Sequence, residues 1–412
     1  MIDNNSILER IEQIILEGVD RKDRPGPFAS DPFWKGLRGT GTELWLDTGD
    51  MDAAESLWID EFTALTTNNT LLNNEIQKGI YDELIQKAGE LLTDLSMEER
   101  IMEIAFILNA HHGLNLVHRF GGYVSVELHT ASARDIAMTL HYARRFHKIS
   151  PDRFIIKIPL TPEGLIATRQ LRNEGVPINF TLGFSARHNY LASSFAYPSY
   201  VNVFLGRLNA YVADNALGDG NMVGEKATIS SQRQVKEAAA ISGKRTLQIA
   251  ASIRSADQVR DLAGVDVYTM PVKVAESAKK TLPGRWESRV DREYEITLSP
   301  GIDEEASGVS VLWDVPKSLK DFARDLDSKV PKAGDELKDR AHQSGVGDLF
   351  PQMSTEEHSR IAADGKIPDH EIWKNRIEKR EVAVDSLLNL AGLASFTGDQ
   401  GKLDDRIRGL IG

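Results

Sequence analysis

The chain has 412 residues, a formal net charge of −12 and no cysteine. The charge argues against nucleic acid as a partner, although a local basic patch can still bind a small phosphate. The missing cysteines exclude disulfides and thiolate metal sites and are compatible with a reducing cytoplasm. Hydrophobic residues make up 41%, enough for a sizeable core, and no stretch approaches the length of a membrane span.

In chain order, residues 1–21 read as an acidic amphipathic helix. Ile7, Leu8, Ile11, Ile14, Ile15 and Val19 recur at helical spacing, without the basic start or continuous apolar run of a signal peptide. Eight short apolar runs follow, at residues 43–48, 62–68, 123–128, 153–159, 177–184, 200–207, 245–252 and 265–270. Most are separated by helical patterns. Thr161-Pro162 opens one of these, with proline at the first helical position and Gly175 closing it. The segment 71–122 is too long for one helix and is expected to hold two or more. Beyond Pro300 the chain is charged and punctuated by proline. Its helical stretches, the last over 379–410, are expected to pack outside the barrel. Alternating strands and helices, eight times over, predict an α/β fold, a (β/α)8 TIM barrel with additional N-terminal and C-terminal helices. The expectation is a single domain, with the barrel core over about 35–290 and the helical extension over about 300–412.

A barrel gathers its chemistry at the C-terminal ends of its strands. Here nearly every strand carries a polar residue there. Asp47 ends the first; Thr66 and Asn68 end the second; Glu127 ends the third. Lys157 lies between Ile156 and Ile158 on the fourth. Asn179 and Thr181 share one face of the fifth. Asn202 lies on the sixth, which ends in Arg207, and the seventh runs into Ser252 and Arg254.

Lys157 is the centre of this pattern. Desolvation in an apolar wall favours the neutral amine, which can attack a carbonyl and form a Schiff base. A lone lysine would read as one that snorkels to the rim. Two carboxylates able to move protons, Glu127 and Asp47, favour chemistry. Thr181 can hold a water between Glu127 and the imine. Asn68 and Asn179 offer sugar hydroxyls both donor and acceptor, though either alone reads as a turn or cap residue. Arg207 and Arg254, at the ends of successive strands, can clamp one phosphate, although singly each reads as a rim ion pair. His111-His112-Gly113 lacks a carboxylate at zinc-site spacing, and adjacent histidines point apart, so no metal is expected.

The ordered motifs resemble those of the transaldolases. They are Trp45-Leu46-Asp47, Leu65-Thr66-Thr67-Asn68, Val124-Ser125-Val126-Glu127, Ile156-Lys157-Ile158-Pro159, Ile178-Asn179-Phe180-Thr181-Leu182, Phe204-Leu205-Gly206-Arg207 and Ala251-Ser252-Ile253-Arg254. Thr397-Gly398-Asp399-Gln400-Gly401 is similar to the closing helix of longer members. The resemblance implies a Schiff base on Lys157, with Asp47 as proton shuttle and Glu127 and Thr181 sharing a water. It implies that Asn68 and Asn179 hold a three-carbon ketone fragment, and that Arg207, Arg254 and Ser252 bind the substrate phosphate. The implied reaction passes a dihydroxyacetone unit from a ketose phosphate to an aldose phosphate and needs no cofactor. A homodimer is compatible with it.

The chain also departs from the family pattern. Asn69 stands where the second-strand motif continues with proline. Asn202-Val203-Phe204 stands where the sixth begins Ser-Pro-Phe, so Asn202 faces the donor fragment in place of a serine. These departures suit a specialised relative acting on another phosphorylated or sulfonated sugar. The related fructose-6-phosphate aldolases carry tyrosine at the position of Phe204, which sets a transferase reading above a lyase reading. Residues 319–385 have no counterpart in the resemblance. A non-catalytic barrel that binds a sugar phosphate would need no lysine in an apolar strand.

Overall fold

The structure is a computed structural model that describes residues 5–19 and 26–412. All eight expected strands form. They are β1 (Glu43–Asp47), β2 (Phe62–Thr66), β3 (Tyr123–Glu127), β4 (Phe154–Pro159), β5 (Ile178–Thr181), β6 (Tyr200–Phe204), β7 (Leu247–Ala251) and β8 (Val267–Met270). Each pairs in parallel with the next, and β8 returns to β1 to close the barrel. Every residue of β4 is buried, as a strand covered on both faces requires.

Eighteen α-helices accompany them among the described residues. The first thirteen are α1 (Asn5–Leu16), α2 (Pro32–Arg38), α3 (Met51–Glu55), α4 (Asn69–Gln77), α5 (Asp82–Leu91), α6 (Met97–Phe120), α7 (Ile136–Ile149), α8 (Pro162–Asn173), α9 (Ala186–Phe195), α10 (Leu205–Asp214), α11 (Val223–Ser242), α12 (Ala256–Asp261) and α13 (Val272–Thr281). The tail adds α14 (Lys317–Ser328), α15 (Gly334–Gln343), α16 (Thr355–Asp364), α17 (His370–Glu378) and α18 (Val384–Ile411).

Local chemistry sets many of the boundaries. Thr161 caps α8 through the Gly164 amide, with Pro162 in the first turn. The segment 71–122 is filled by α4, α5 and α6. The last of these starts at a Ser96/Glu99 capping box and stops at Gly121, whose φ of 66° suits glycine. In α1, Ile11, Ile14 and Ile15 are buried, and the helix packs on α6. Residues 1–4, 20 and 21 of the expected helix lie outside the described residues.

Two expectations are corrected. The sixth strand stops at Phe204 and the chain turns directly into α10, so Arg207 lies in that helix's first turn rather than on the strand. The tail divides in two. Helix α14 packs on α9 and α15 on α8, outside the barrel as expected, but α18 lies across the mouth. Asn389 of α18 donates to the carbonyls of Leu160 and Leu182, just beyond β4 and β5. Farther along, Asp399 accepts from Thr70 and Asp404 pairs with His129 at 3.2 Å, on the β2 and β3 sides. The start of α18 is tied down by a buried ion cluster. Arg187 of α9 donates two 2.8 Å bonds to Asp385 and a third to Asp348.

Candidate active site

Strand register builds the floor of the site. Glu127 lies opposite Lys157 across β3 and β4, and Lys157 opposite Asn179 across β4 and β5. All three are buried and face the same way, so one row of the barrel presents carboxylate, amine and amide together. The Lys157 ammonium lies 3.6 Å from Glu127 Oε2, an ion pair longer than a hydrogen bond, and donates to the Thr67 carbonyl at 3.3 Å. Asn179 donates to Ser125 Oγ at 3.0 Å and accepts from Asn202 at 3.2 Å. Two residues up β5, the buried Thr181 hydroxyl has no protein partner.

Asp47 stands across the barrel, opposite Thr66 in the β1–β2 register, and accepts from the Thr66 hydroxyl at 3.0 Å. Burial pushes the carboxyls of both Asp47 and Glu127 up, and the Lys157 charge pulls both back. The Asn69 amide donates to Glu127 Oε2 at 3.3 Å. Proline at position 69 would have no hydrogen to give, so the departure from the family pattern adds a donor to this carboxylate.

Above this floor opens a cavity of about 390 Å3. Asp47, Asn68, Lys157, Asn179, Asn202, Phe204, Arg207, Ser252 and Arg254 all line it. Glu127 and Thr181 lie outside that lining. Asn68 has a second task, because its Oδ1 accepts from the Leu71 amide at 2.8 Å as the cap of α4. The Asn202 side-chain oxygen, Oδ1, is buried without a protein partner.

Arg207 and Arg254 are brought together by backbone geometry. Ser252 takes a positive φ of 61°, and Gly206 passes so close that a Cβ there would lie 2.3 Å from the Ser252 carbonyl and 2.6 Å from Arg254 Nε. Glycine is therefore required between Leu205 and Arg207. Burial, with the Arg254 charge adding to it, lowers the Arg207 guanidinium to about 10, and its buried Nη1 has no protein partner. Two like charges held together in this way favour an anion between them.

The lining also holds residues that the sequence did not mark, among them Lys273, Lys366 and Phe396. The Phe396 ring of α18 sits 5.8 Å from both the Lys157 ammonium and the Arg207 guanidinium. Gly392, one turn earlier, leaves room for this approach, since a Cβ there would lie 2.7 Å from Leu182 and 3.2 Å from Arg207 Nη1. No local pattern marks these residues, because each reaches the mouth only through the path of the tail or of the loop after β8. The adjacent histidines point to different partners. His112 bonds to the Tyr81 hydroxyl at 2.8 Å and His111 to the Ile15 carbonyl at 2.9 Å.

A family model described as transaldolase/fructose-6-phosphate aldolase matches residues 44–328. A transaldolase of Xanthomonas euvesicatoria pv. vesicatoria is 32% identical over 240 residues, which cover 56% of this chain and 73% of that protein. A transaldolase of Nostoc punctiforme is 28% identical over 252 residues, 58% of this chain and 74% of the relative. One from Schizosaccharomyces pombe is 28% identical over 299 residues, 70% and 88% of the two chains.

Proposed function

We propose that this chain, which belongs to the transaldolase/fructose-6-phosphate aldolase family, transfers a dihydroxyacetone unit from a ketose phosphate to an aldose phosphate through a Schiff base on Lys157. The observation that carries the reading is the buried row Glu127–Lys157–Asn179, with Asp47 across the cavity. An amine so placed meets a carbonyl entering from the mouth. Its neighbours can move protons without a metal or cofactor.

The Lys157 amine adds to C2 of the ketose, and proton transfer through Glu127 releases water and leaves an iminium. Asp47 takes the C4 hydroxyl proton as the C3–C4 bond breaks. The bond's electron pair moves into the iminium, giving an enamine, and the aldose phosphate departs. An acceptor aldose phosphate then takes that electron pair at its carbonyl carbon while Asp47 returns the proton. Water held by Glu127 and Thr181 hydrolyses the new imine. Carboxyls raised by burial suit this traffic, because a proton both taken and returned is moved best by a group with a pKa nearer the working pH. Asn68, Asn179 and Asn202 hold the three-carbon fragment; Arg207, Ser252 and Arg254 hold the phosphate.

Borohydride reduction in the presence of a ketose phosphate tests the reading. A three-carbon adduct on Lys157 supports it; an adduct elsewhere, or none, overturns it. Transferase and lyase chemistry separate on water. Phe204 packs edge-on against Phe184 at 5.5 Å and offers no phenol to protonate the enamine. With donor alone, the enzyme is therefore expected to stall after about one turnover and restart on addition of an aldose phosphate. Steady release of dihydroxyacetone would establish the lyase reading instead, and Phe204→Tyr is expected to shift the balance toward it.

A further inference from the structure

The mouth is more cationic than one phosphate requires. Five cationic side chains line the cavity, Lys157, Arg207, Arg254, Lys273 and Lys366, against one carboxylate, Asp47, in a chain whose net charge is −12. Lys157 faces Glu127, and the two arginines form the phosphate clamp. Lys273 and Lys366 remain, and neither forms an ion pair among the described residues. The nearby Asp399 feels the Lys366 charge but is shared with Lys402 at 2.8 Å and Thr70 at 2.5 Å, so it offsets Lys366 only in part.

Their positions indicate which part of a substrate they meet. Lys273 lies in the first turn of α13, after β8, and so between Arg254 beyond β7 and Asp47 on β1. Lys366 arrives from the turn joining α16 and α17, beyond the end of the family match. Asp47 handles the oxygen of the leaving aldehyde, so this sector of the mouth holds the aldose carbons. On that reading the three-carbon unit lies toward Asn179 and Asn202 on β5 and β6, with Asn68 meeting it from beyond β2.

We propose that Lys273 and Lys366 form a second anion subsite beside the Arg207/Arg254 clamp, so that the enzyme takes sugar phosphates bearing a further anionic group on the aldose fragment. This rests on the reading of the two arginines as the phosphate clamp. A monophosphate held by the arginines leaves both ammonium groups without an ion pair, with Asp47 the one carboxylate among the described lining residues. A second phosphate, sulfonate or carboxylate matches them, and like-charge crowding gives way to attraction.

The test is calorimetric titration of the full chain with inorganic phosphate and with pyrophosphate, at low salt. Pyrophosphate is expected to bind roughly ten-fold more tightly than phosphate. Lys366→Ala and Lys273→Ala should each weaken pyrophosphate by about three-fold, in line with exposed ion pairs, and leave phosphate unchanged. Lys366→Arg should retain the advantage. Equal weakening of both probes would mean a diffuse positive field and would overturn the subsite, as would unchanged pyrophosphate binding in both alanine variants. Arg254→Ala distinguishes the two levels of the reading. Intact phosphate binding in that variant removes the clamp and this proposal with it, whereas lost phosphate binding together with inert lysines removes the subsite alone.

Discussion

The floor of the cavity and its rim are built by different means. The floor residues Glu127, Lys157 and Asn179 sit on adjacent strands, and parallel register alone places them side by side. At the rim, Arg207 stands in a helix, Arg254 in a loop, and Lys366 and Phe396 in a tail that returns from far along the chain. A strand holds its side chain through a ladder of backbone hydrogen bonds. A rim residue is held by packing and by ties such as Asn389 to Leu160 and Leu182. On the proposed reading, chemistry that demands fixed atoms is put where the backbone is stiffest, and recognition where sequence can vary without disturbing the barrel.

If that division is right, changes at the floor should abolish turnover and changes at the rim should tune it. Lys157→Ala is expected to lower kcat by a factor on the order of 10³ or more, with circular dichroism and thermal unfolding close to the parent. A variant that keeps kcat within about ten-fold of the parent with a ketose donor would break the comparison at its strongest point.

The next effect falls on the anchor of the cover. Asp385→Asn removes the fully buried carboxylate of the ion cluster and is expected to cost about 3–5 kcal/mol of stability, read by urea unfolding. The unmodified protein should show the same loss in acid. Arg187 holds the Asp385 carboxyl well below its ordinary value against the opposing effect of burial. The stabilisation is therefore present above the unfolded-state pKa and disappears as pH falls through the folded one. A stability curve flat from neutral to strongly acid pH would show that the cluster does not hold the tail.

At the rim, Arg254→Ala and Arg207→Ala should each raise KM for phosphorylated substrates by roughly ten-fold or more, from loss of a charge-assisted bond worth about 1.5–3 kcal/mol. Unphosphorylated analogues should change far less; equal losses on both would make these arginines structural. Phe396→Ala should have the smallest effect, about two- to five-fold on kcat/KM, since a ring 5.8 Å from two cations contributes a weak cation–π interaction. A loss as large as that of Lys157→Ala would place Phe396 in the floor's company.

Much of the barrel was legible in the sequence. Continuous apolar runs such as Phe154-Ile155-Ile156 mark strands covered on both faces, and their spacing leaves little choice of topology. A lysine or carboxylate inside such a run stands out because burial there is costly, which is why Lys157 and Glu127 could be singled out, and with them Asp47 and Asn179. The strand ends were less legible. Arg207 reads as the end of an apolar run, yet the chain has already turned helical at Leu205.

By itself, then, the sequence determined the eight strands, their order and the polar residues at their C-terminal ends, because those follow from local periodicity and from the energetic cost of burying charge. Only the tertiary structure decided that Asn68 caps a helix while lining the cavity, that the Asn69 amide reaches Glu127, and that α18 crosses the mouth with Phe396 while the turn between α16 and α17 brings Lys366 to its lining. The last of these depends on long-range ties, Asn389 to Leu160 and Asp385 to Arg187 among them, between residues separated by about two hundred positions in the chain. Helical periodicity shows which face of a helix is apolar, and nothing in it shows which distant surface that face will cover.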